Sequence, residues 1–471
     1  MKRFPRSFAI VLLLAGLPVL GFAEAPASDL AKKLDSLRKR FKLRSAIGML
    51  VKSVETGETL YAHNENQRFI PASGMKLVTM GASLHYLGPN YRFETRFLAD
   101  GPIVNGVVEG NLYVHGTGDP SLTRHEMDYI ARALSRAGLR EVRGDIVLDD
   151  SFFDDQLRGP ASYDNILKKG LPIQSALSYN FNLVELRARP SAPGSKAELH
   201  DEGYGYFDVL NRVTTATRGR PWLRVSKLRQ DRVLVRGRVI QGDEEDHVGT
   251  FVAPDPTAYF ASAFLGKLRE QRILALGQVV KGRVEGRKIE TLYVHRSDRL
   301  IEVLSALGKF SNNFSAEQML KTLGAHRFGP PGSFVSGARA VGEYLVGLGF
   351  SRDDFRIEDA SGLSYDNHLS AAILVRVLED LYRAPELRTD FICSLAIAGV
   401  DGTLRSRFLN EEQLGRIMAK TGSLAGVSSL SGLAFSRSRG PLVFSVLTNG
   451  IGRQYRADFV EDEIGRVLVE E

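Results

Sequence analysis

A serine followed three residues later by a lysine is a nucleophile with a base in reach when both ride on a helix, because a 3.6-residue period brings i and i+3 to one face. Ser73-Gly74-Met75-Lys76 is such a pair. Leu77, Met80 and Leu84, with Val78, Ala82 and Leu87, follow at helical spacing, which predicts a largely buried helix. Lys76 must be neutral to take the serine proton, and a second cation nearby, Lys420, would favour that form by like-charge repulsion. Lys420-Thr421-Gly422 falls in an edge-strand candidate, where a peptide can add as a further strand and leave its terminal carboxylate to Lys420 and Thr421. Gly422 permits close backbone approach, and the N–H groups of Ser73 and Ser423 are candidate oxyanion donors. In Ser311-Asn312-Asn313, Ser311 is a candidate proton relay to a leaving amine. The Asn313 amide, donor and acceptor at once, can hold a substrate backbone group. The chemistry these residue types fit is acyl transfer through a covalent serine intermediate.

Short strings recur by chance, and the chain contains two controls. Ser36-Leu37-Arg38-Lys39 repeats the first spacing and Ser178-Tyr179-Asn180 the second. Position separates the copies. Ser36 lies on a charged N-terminal helix upstream of the first hairpin, where no pocket is expected, and Ser178 lies inside an inserted region.

Positioning these groups requires a sheet beside a helix. Strand candidates at 45–54 and 59–63 form a hairpin across Glu55-Thr56-Gly57-Glu58. At the far end 416–423, 428–436 and 442–448 read as three more strands, and a helix over about 455–468 closes the chain. Five antiparallel strands faced by the first and last helices make an α+β catalytic unit drawn from both ends, 24–87 and 293–471. Its helical half comes from periodic segments at 301–307, 316–323, 337–348, 369–382 and 387–396. Between lie glycine-punctuated strands at 92–97, 107–116, 142–149, 223–228 and 231–242. Structureless loops of that length are rare, so 88–292 is predicted to be an inserted β-rich domain with a smaller domain nested near 165–246. Ser191-Ala192-Pro193-Gly194-Ser195 and Asp243-Glu244-Glu245-Asp246 read as surface turns of that nested part.

Lys2, Arg3 and Arg6 precede an apolar run over 8–20 and the small-x-small pattern Gly21-Phe22-Ala23. This is the pattern of a secretory signal peptide over 1–23, too short for a membrane span, with an exported, periplasmic destination. No cysteine follows the run, which argues against a lipidated N-terminus. The one cysteine, Cys393, cannot form an internal disulfide and is expected to be a small buried hydrophobe. Three of the 62 basic residues and none of the 55 acidic ones fall in 1–23, so the excess of +7 becomes +4 without them. That fits an acidic wall polymer, and no basic tail argues for nucleic acid. The densest basic cluster, 32–44, is interleaved with Leu34, Leu37 and Phe41 after Leu30. It reads as an amphipathic helix with a solvated basic face; weak contact with an anionic membrane surface is its other reading.

Taken in order, the three strings match the S-x-x-K, S-x-N and K-T-G set of penicillin-recognising enzymes. Gly118-Asp119-Pro120-Ser121-Leu122, Asp359-Ala360-Ser361-Gly362-Leu363-Ser364 and Ala398-Gly399-Val400-Asp401-Gly402-Thr403-Leu404 add to the likeness. Over nearly the whole chain beyond residue 23 the sequence resembles the D-alanyl-D-alanine carboxypeptidase/endopeptidase family of class C low-molecular-mass penicillin-binding proteins. The resemblance implies a penicillin-binding-protein/serine β-lactamase-like catalytic domain with nested inserts, acting on peptidoglycan stem peptides without metal or cofactor and acylated by β-lactams. One departure is Asn312, where the family often has aspartate. The rival readings are a serine β-lactamase and a non-catalytic β-lactam or wall sensor. The first lacks an E-x-x-L-N string between Ser311 and Lys420, and the second has no need of the proton-handling set Lys76, Ser311 and Lys420. There is no G-x-S-x-G elbow, and His125-Glu126 lacks the second histidine of a zinc helix.

Overall fold

A computed structural model describes residues 29–41, 47–159, 173–229, 232–284, 289–451 and 454–470. The expected signal segment, 1–23, lies outside the described residues. Ten helices are described: α1 Asp29–Arg40, α2 Met75–Leu87, α3 Arg124–Arg136, α4 Pro256–Glu270, α5 Leu300–Phe310, α6 Asn313–Phe328, α7 Phe334–Gly347, α8 Ala371–Arg383, α9 Pro385–Ser394 and α10 Gln454–Glu470.

The two ends of the chain meet in one antiparallel sheet, ordered Ala396–Ile397, Ile417–Leu424, Val427–Ser436, Gly440–Asn449, Ile47–Ser53, Thr59–His63. The sequence predicts five strands; the structure has six. The extra one, Ala396–Ile397, is two residues long and carries no alternation to read. Successive residues of a strand point to opposite faces, and here both faces are covered. Leu433, Val443 and Leu447 enter a core with α2 and α5–α9, while Leu430, Phe444 and Val446 enter a second core with α1 and α10. Leu30, Leu34 and Leu37 of α1 are buried there, so the apolar stripe of this helix is already covered and only its basic side faces solvent.

Residues between α2 and α5 build a separate core whose buried members run from Phe97 to Ile273. A five-stranded mixed sheet, ordered Val279–Lys281, Ile146–Asp149, Leu112–Gly116, Glu94–Ala99, Glu290–Arg296, is its largest sheet. Glu94–Ala99 and Glu290–Arg296 pair with each other, so the chain leaves and re-enters the catalytic unit at neighbouring points. Further out, Asp208–Ala216, Arg232–Ile240 and Trp222–Lys227 form one three-stranded sheet, and Asp246–Val252, Leu183–Arg189 and Glu198–Asp201 another. Among the described residues no helix is long and apolar enough to cross a membrane.

Cys393 corrects the sequence reading, because its side chain is exposed. It sits on α9, whose buried residues are Phe391 and Ser394, and the helical turn directs the position between them outward.

Candidate active site

Ser73 lies in a 3-10 turn, Ala72–Gly74, that runs directly into α2. The turn is held from three sides. Asn449 clasps Ile70, two residues before the turn, accepting from Ile70 N at 2.9 Å and donating to Ile70 O at 3.1 Å. Ser429 Oγ donates to Pro71 O at 2.7 Å. Gly362, at φ +80°, sits so close that a Cβ there would stand 1.8 Å from Ala72 O. Only glycine fits that position. The crowding accompanies a left-handed Ala72, at φ 45°, a strain that the surrounding contacts over-determine.

One turn into α2, Lys76 is wholly buried, with Nζ 2.9 Å from Ser73 Oγ. Nζ donates to Asn313 Oδ1 at 2.8 Å and to the Ser361 carbonyl at 2.6 Å. A neutral amine has two hydrogens and one lone pair. Two acceptors take both hydrogens and leave the lone pair facing the hydroxyl. Burial lowers the Lys76 pKa to about 7, against the opposing pull of Asp359 and Glu317. Repulsion from Lys420 is the expected cause of a neutral Lys76; in the structure the first cause is desolvation.

Lys420 is also wholly buried, and its Nζ donates to Thr421 O at 2.7 Å. Burial, with the Lys76 charge added to it, pushes Lys420 well below the ordinary lysine value. Its strand is paired through Ala396↔Ala419 and Ile397↔Met418, and the pairing then stops. From Lys420 to Ser423 the strand is therefore an open edge, as β-addition of a peptide requires. Thr421 Oγ1 donates to Thr403 Oγ1 at 2.8 Å, Gly422 packs on the backbone of Ser73 and Gly74, and Ser423 is exposed.

The structure thus brings Ser73, Lys76 and Asn313 into one hydrogen-bonded set, with Gly422 against it. Ser311 is placed differently. It is the left-handed C-cap of α5, half-buried, and among the described residues its hydroxyl bonds neither Ser73 nor Lys76. Asn312 explains the departure from aspartate, because its side chain N-caps α6 by accepting from Ser315 N at 3.0 Å, which either residue type does. Of the two controls, Ser36 is exposed on α1, and Ser178 is a buried structural serine donating to Ser175 O at 2.8 Å.

Three groups at the site were not singled out by residue in the sequence. Ser361 supplies the carbonyl under Lys76, Asp359 ties that loop by accepting from Gly362 N at 2.6 Å and Ser364 N at 2.7 Å, and Glu317 accepts from Ser361 N at 2.9 Å. The string 359–364 was the available signal for the first two. Glu317 lay inside a helical pattern that gave no sign of it.

The sequence model of the D-Ala-D-Ala carboxypeptidase 3 (S13) family matches residues 30–467. The chain is 31% identical over 459 residues to a D-alanyl-D-alanine carboxypeptidase of Actinomadura sp. (strain R39), covering 93% of this chain and 84% of that one. It is 27% identical over 437 residues to the D-alanyl-D-alanine carboxypeptidase DacB of Haemophilus influenzae, covering 91% and 89%. Among solved structures it is similar to penicillin binding protein 4 (dacB) of Haemophilus influenzae, with a TM-score of 0.73 at 25% identity over 92% of this chain and 97% of that one. A predatory peptidoglycan endopeptidase of Bdellovibrio bacteriovorus shares the fold, with a TM-score of 0.53 at 17% identity over 89% and 90%.

Proposed function

The chain belongs to the D-Ala-D-Ala carboxypeptidase 3 (S13) family of serine peptidases, and from that premise we propose that Ser73 is the residue it acylates and Lys76 the base. The observation that carries the assignment is the three-way coordination of Lys76 Nζ by Ser73 Oγ, Asn313 Oδ1 and Ser361 O. Neutral Lys76 takes the Ser73 proton as Oγ attacks the penultimate D-alanyl carbonyl. Ser73 N–H and Ser423 N–H receive the oxyanion, and Lys76 returns the proton to the leaving amine by way of Ser311, which among the described residues bonds neither Ser73 nor Lys76 and is to be bridged to them by the bound substrate. Water then releases the acyl group. Lys420 and Thr421 hold the terminal carboxylate, whose charge compensates the buried ammonium. The substrate backbone adds to the open edge at Thr421–Ser423 and meets the Asn313 amide.

The same carbonyl chemistry extends to D-alanyl crosslinks, and a β-lactam enters as a covalent inhibitor of Ser73. A relative of this fold has been solved with a β-lactam bound, at 25% identity and a TM-score of 0.70. The basic start, the apolar run over 8–20 and the small residues at Gly21 and Ala23 support export to the periplasm, where peptidoglycan is accessible. Intact-mass and peptide-mapping spectrometry of the purified protein, first with penicillin and then with a crosslinked muropeptide, tests the whole reading. The expected result is one penicilloyl adduct on the peptide bearing Ser73, and loss of terminal D-alanine or scission of the crosslink. An adduct elsewhere, or no turnover of either bond, would overturn it.

A further inference from the structure

Helix α6 carries two working faces. Asn313 and Glu317, four residues apart, serve the site: the first accepts from Lys76, and the second pins the Ala360–Ser361 backbone whose carbonyl also accepts from Lys76. A second stripe, Phe314, Gln318 and Lys321 at i, i+4 and i+7, is turned to residues inserted between α2 and α5. Phe314 meets Phe181 edge-on, with ring centroids 5.9 Å apart. Gln318 Nε2 donates to Ser175 O at 2.9 Å and reaches Ser178 Oγ at 3.4 Å. Lys321 is wholly buried. Its Nζ pairs with Asp154 Oδ1 at 2.7 Å, donates to Asp154 O at 3.2 Å and Gln156 O at 2.7 Å, and lies over the Phe153 and Phe334 rings.

The inserted segments that receive this stripe are themselves fastened. Gly118 N donates to Ala176 O at 2.9 Å and Asn180 N to Leu122 O at 2.9 Å, so the 118–122 string is a bracket for 175–182. Gly332 N donates to Phe152 O at 2.9 Å and Asp154 N to Gly332 O at 3.0 Å, which joins 152–154 to the loop after α6. A buried ion pair contributes little net stability over an apolar pair of the same size, so what Lys321 adds is geometric: it fixes α6 along its axis and about it.

We propose that Lys321 and Gln318 are positioning residues of the peptidase, through which the insert holds α6 in the register that presents Asn313 and Glu317 to the Lys76–Ser361 pair. The chemistry stays in the catalytic unit; the insert sets its alignment through one helix. This rests on Lys76 being the base.

The test uses the full chain in three variants, Lys321→Met, Gln318→Leu and, as a control for lost stability alone, Phe264→Leu in the insert core, where Phe264 is fully buried. Stopped-flow penicillin acylation is followed across pH, beside thermal melts. Misplacement of about an ångström costs up to about a hundredfold in rate. Lys321→Met and Gln318→Leu should each slow acylation about tenfold or more with initial penicillin binding unchanged, and should shift the acid limb set by Lys76. Phe264→Leu should lower the melting temperature and leave both rate and limb in place. Wild-type rate and limb in a folded Lys321→Met or Gln318→Leu protein would overturn the proposal, as would an equal slowing in Phe264→Leu. If Lys321→Met does not fold, Gln318→Leu decides. Ser73 acylation in the wild type together with unaffected variants would remove only the positioning role; absence of a Ser73 adduct in the wild type would remove the underlying assignment.

Discussion

Gly422 and Ser73 meet backbone to backbone: a Cβ on Gly422 would stand 2.8 Å from Ser73 N and 2.3 Å from Ser429 Oγ. The strand Ile417–Leu424, the proposed nucleophile and the neighbouring strand that carries Ser429 therefore share one contact that tolerates no side chain. Gly422→Ala should push the strand away from the Ser73 N–H, a proposed oxyanion donor, and lower acylation about a hundredfold, the scale of losing one such donor. Penicillin acylation rates at matched folded fraction check this. A wild-type rate would mean that the strand can shift without cost.

The pH dependence follows from Lys76. Its pKa is lowered to about 7, and only the neutral amine accepts the Ser73 proton. Below that value the amine is protonated and acylation falls; as pH rises through it the rate climbs to a plateau. Lys420 must be protonated to bind a carboxylate, and it too is held below the ordinary lysine value, so the alkaline fall should come earlier than an exposed lysine would give. Acylation rates from about pH 5 to 9 read both limbs. A flat profile through neutrality would exclude Lys76 as the base.

Much of this site was legible because its parts are local. The pair at Ser73 and Lys76 is one helical turn, and the 417–424 strand announces itself by composition. The long-range partners were not. Glu317 looks like any residue of a buried helix, and its role exists only because the 359–364 loop arrives from elsewhere in the chain to be held by it. Cys393 failed for a related reason: α9 has Phe391 and Ser394 buried and Cys393 outward, a phase that tertiary packing sets and composition does not. The two-residue strand Ala396–Ile397 is defined only by its pairing to 418–419. Its consequence is functional, because where it ends the open edge begins.

Lys420 has no carboxylate pair among the described residues, and the proposed substrate carboxylate would supply one. Lys420→Ala should cost roughly 2–4 kcal/mol of transition-state stabilisation, the scale for removing a buried charged partner. That corresponds to about a thirtyfold to thousandfold fall in kcat/KM on a D-Ala-D-Ala peptide. The loss should be smaller on a substrate amidated at its terminal carboxylate. Equal losses on the two substrates would rule out the carboxylate role.

Ser36 provides the control for the proposed nucleophile, since it has the same spacing to Lys39 but lies exposed on α1, whose buried face packs into the second core. Ser73→Ala should abolish the penicillin adduct, and Ser36→Ala should leave its stoichiometry unchanged. Intact mass after penicillin exposure distinguishes them. Retention of the adduct in Ser73→Ala would refute the assignment whatever the rate.

The part of the insert proposed as a nested domain should be dispensable for acylation, provided the cut spares the contacts that reach α4 and α6. A deletion over 191–246 would remove Tyr204 and Tyr206, whose hydroxyls reach Glu270 Oε1 at 2.5 Å and Asp255 O at 3.2 Å on and before α4. It would strip a helix of the insert core. Removing 208–240 instead takes away the sheet of Asp208–Ala216, Trp222–Lys227 and Arg232–Ile240, including the buried core residues Val213, Val233, Val235 and Val239, and spares both tyrosines. Asp208–Ala216 runs parallel to Arg232–Ile240, so the cut ends lie about one nine-residue strand apart. At about 3.3 Å per residue that is about 30 Å, and a Gly/Ser bridge of about twelve residues spans it. None of the contacts from Phe181, Ser175, Ser178, Asp154 and Gln156 to α6 is touched by this cut. The variant should therefore acylate Ser73 with penicillin near the wild-type rate while cleaving intact sacculi more slowly, because the lost sheet shapes access for a crosslinked polymer. Acylation lost in a protein still folded by circular dichroism would place supporting residues within 208–240, and an unchanged rate on sacculi would deny that sheet any part in access.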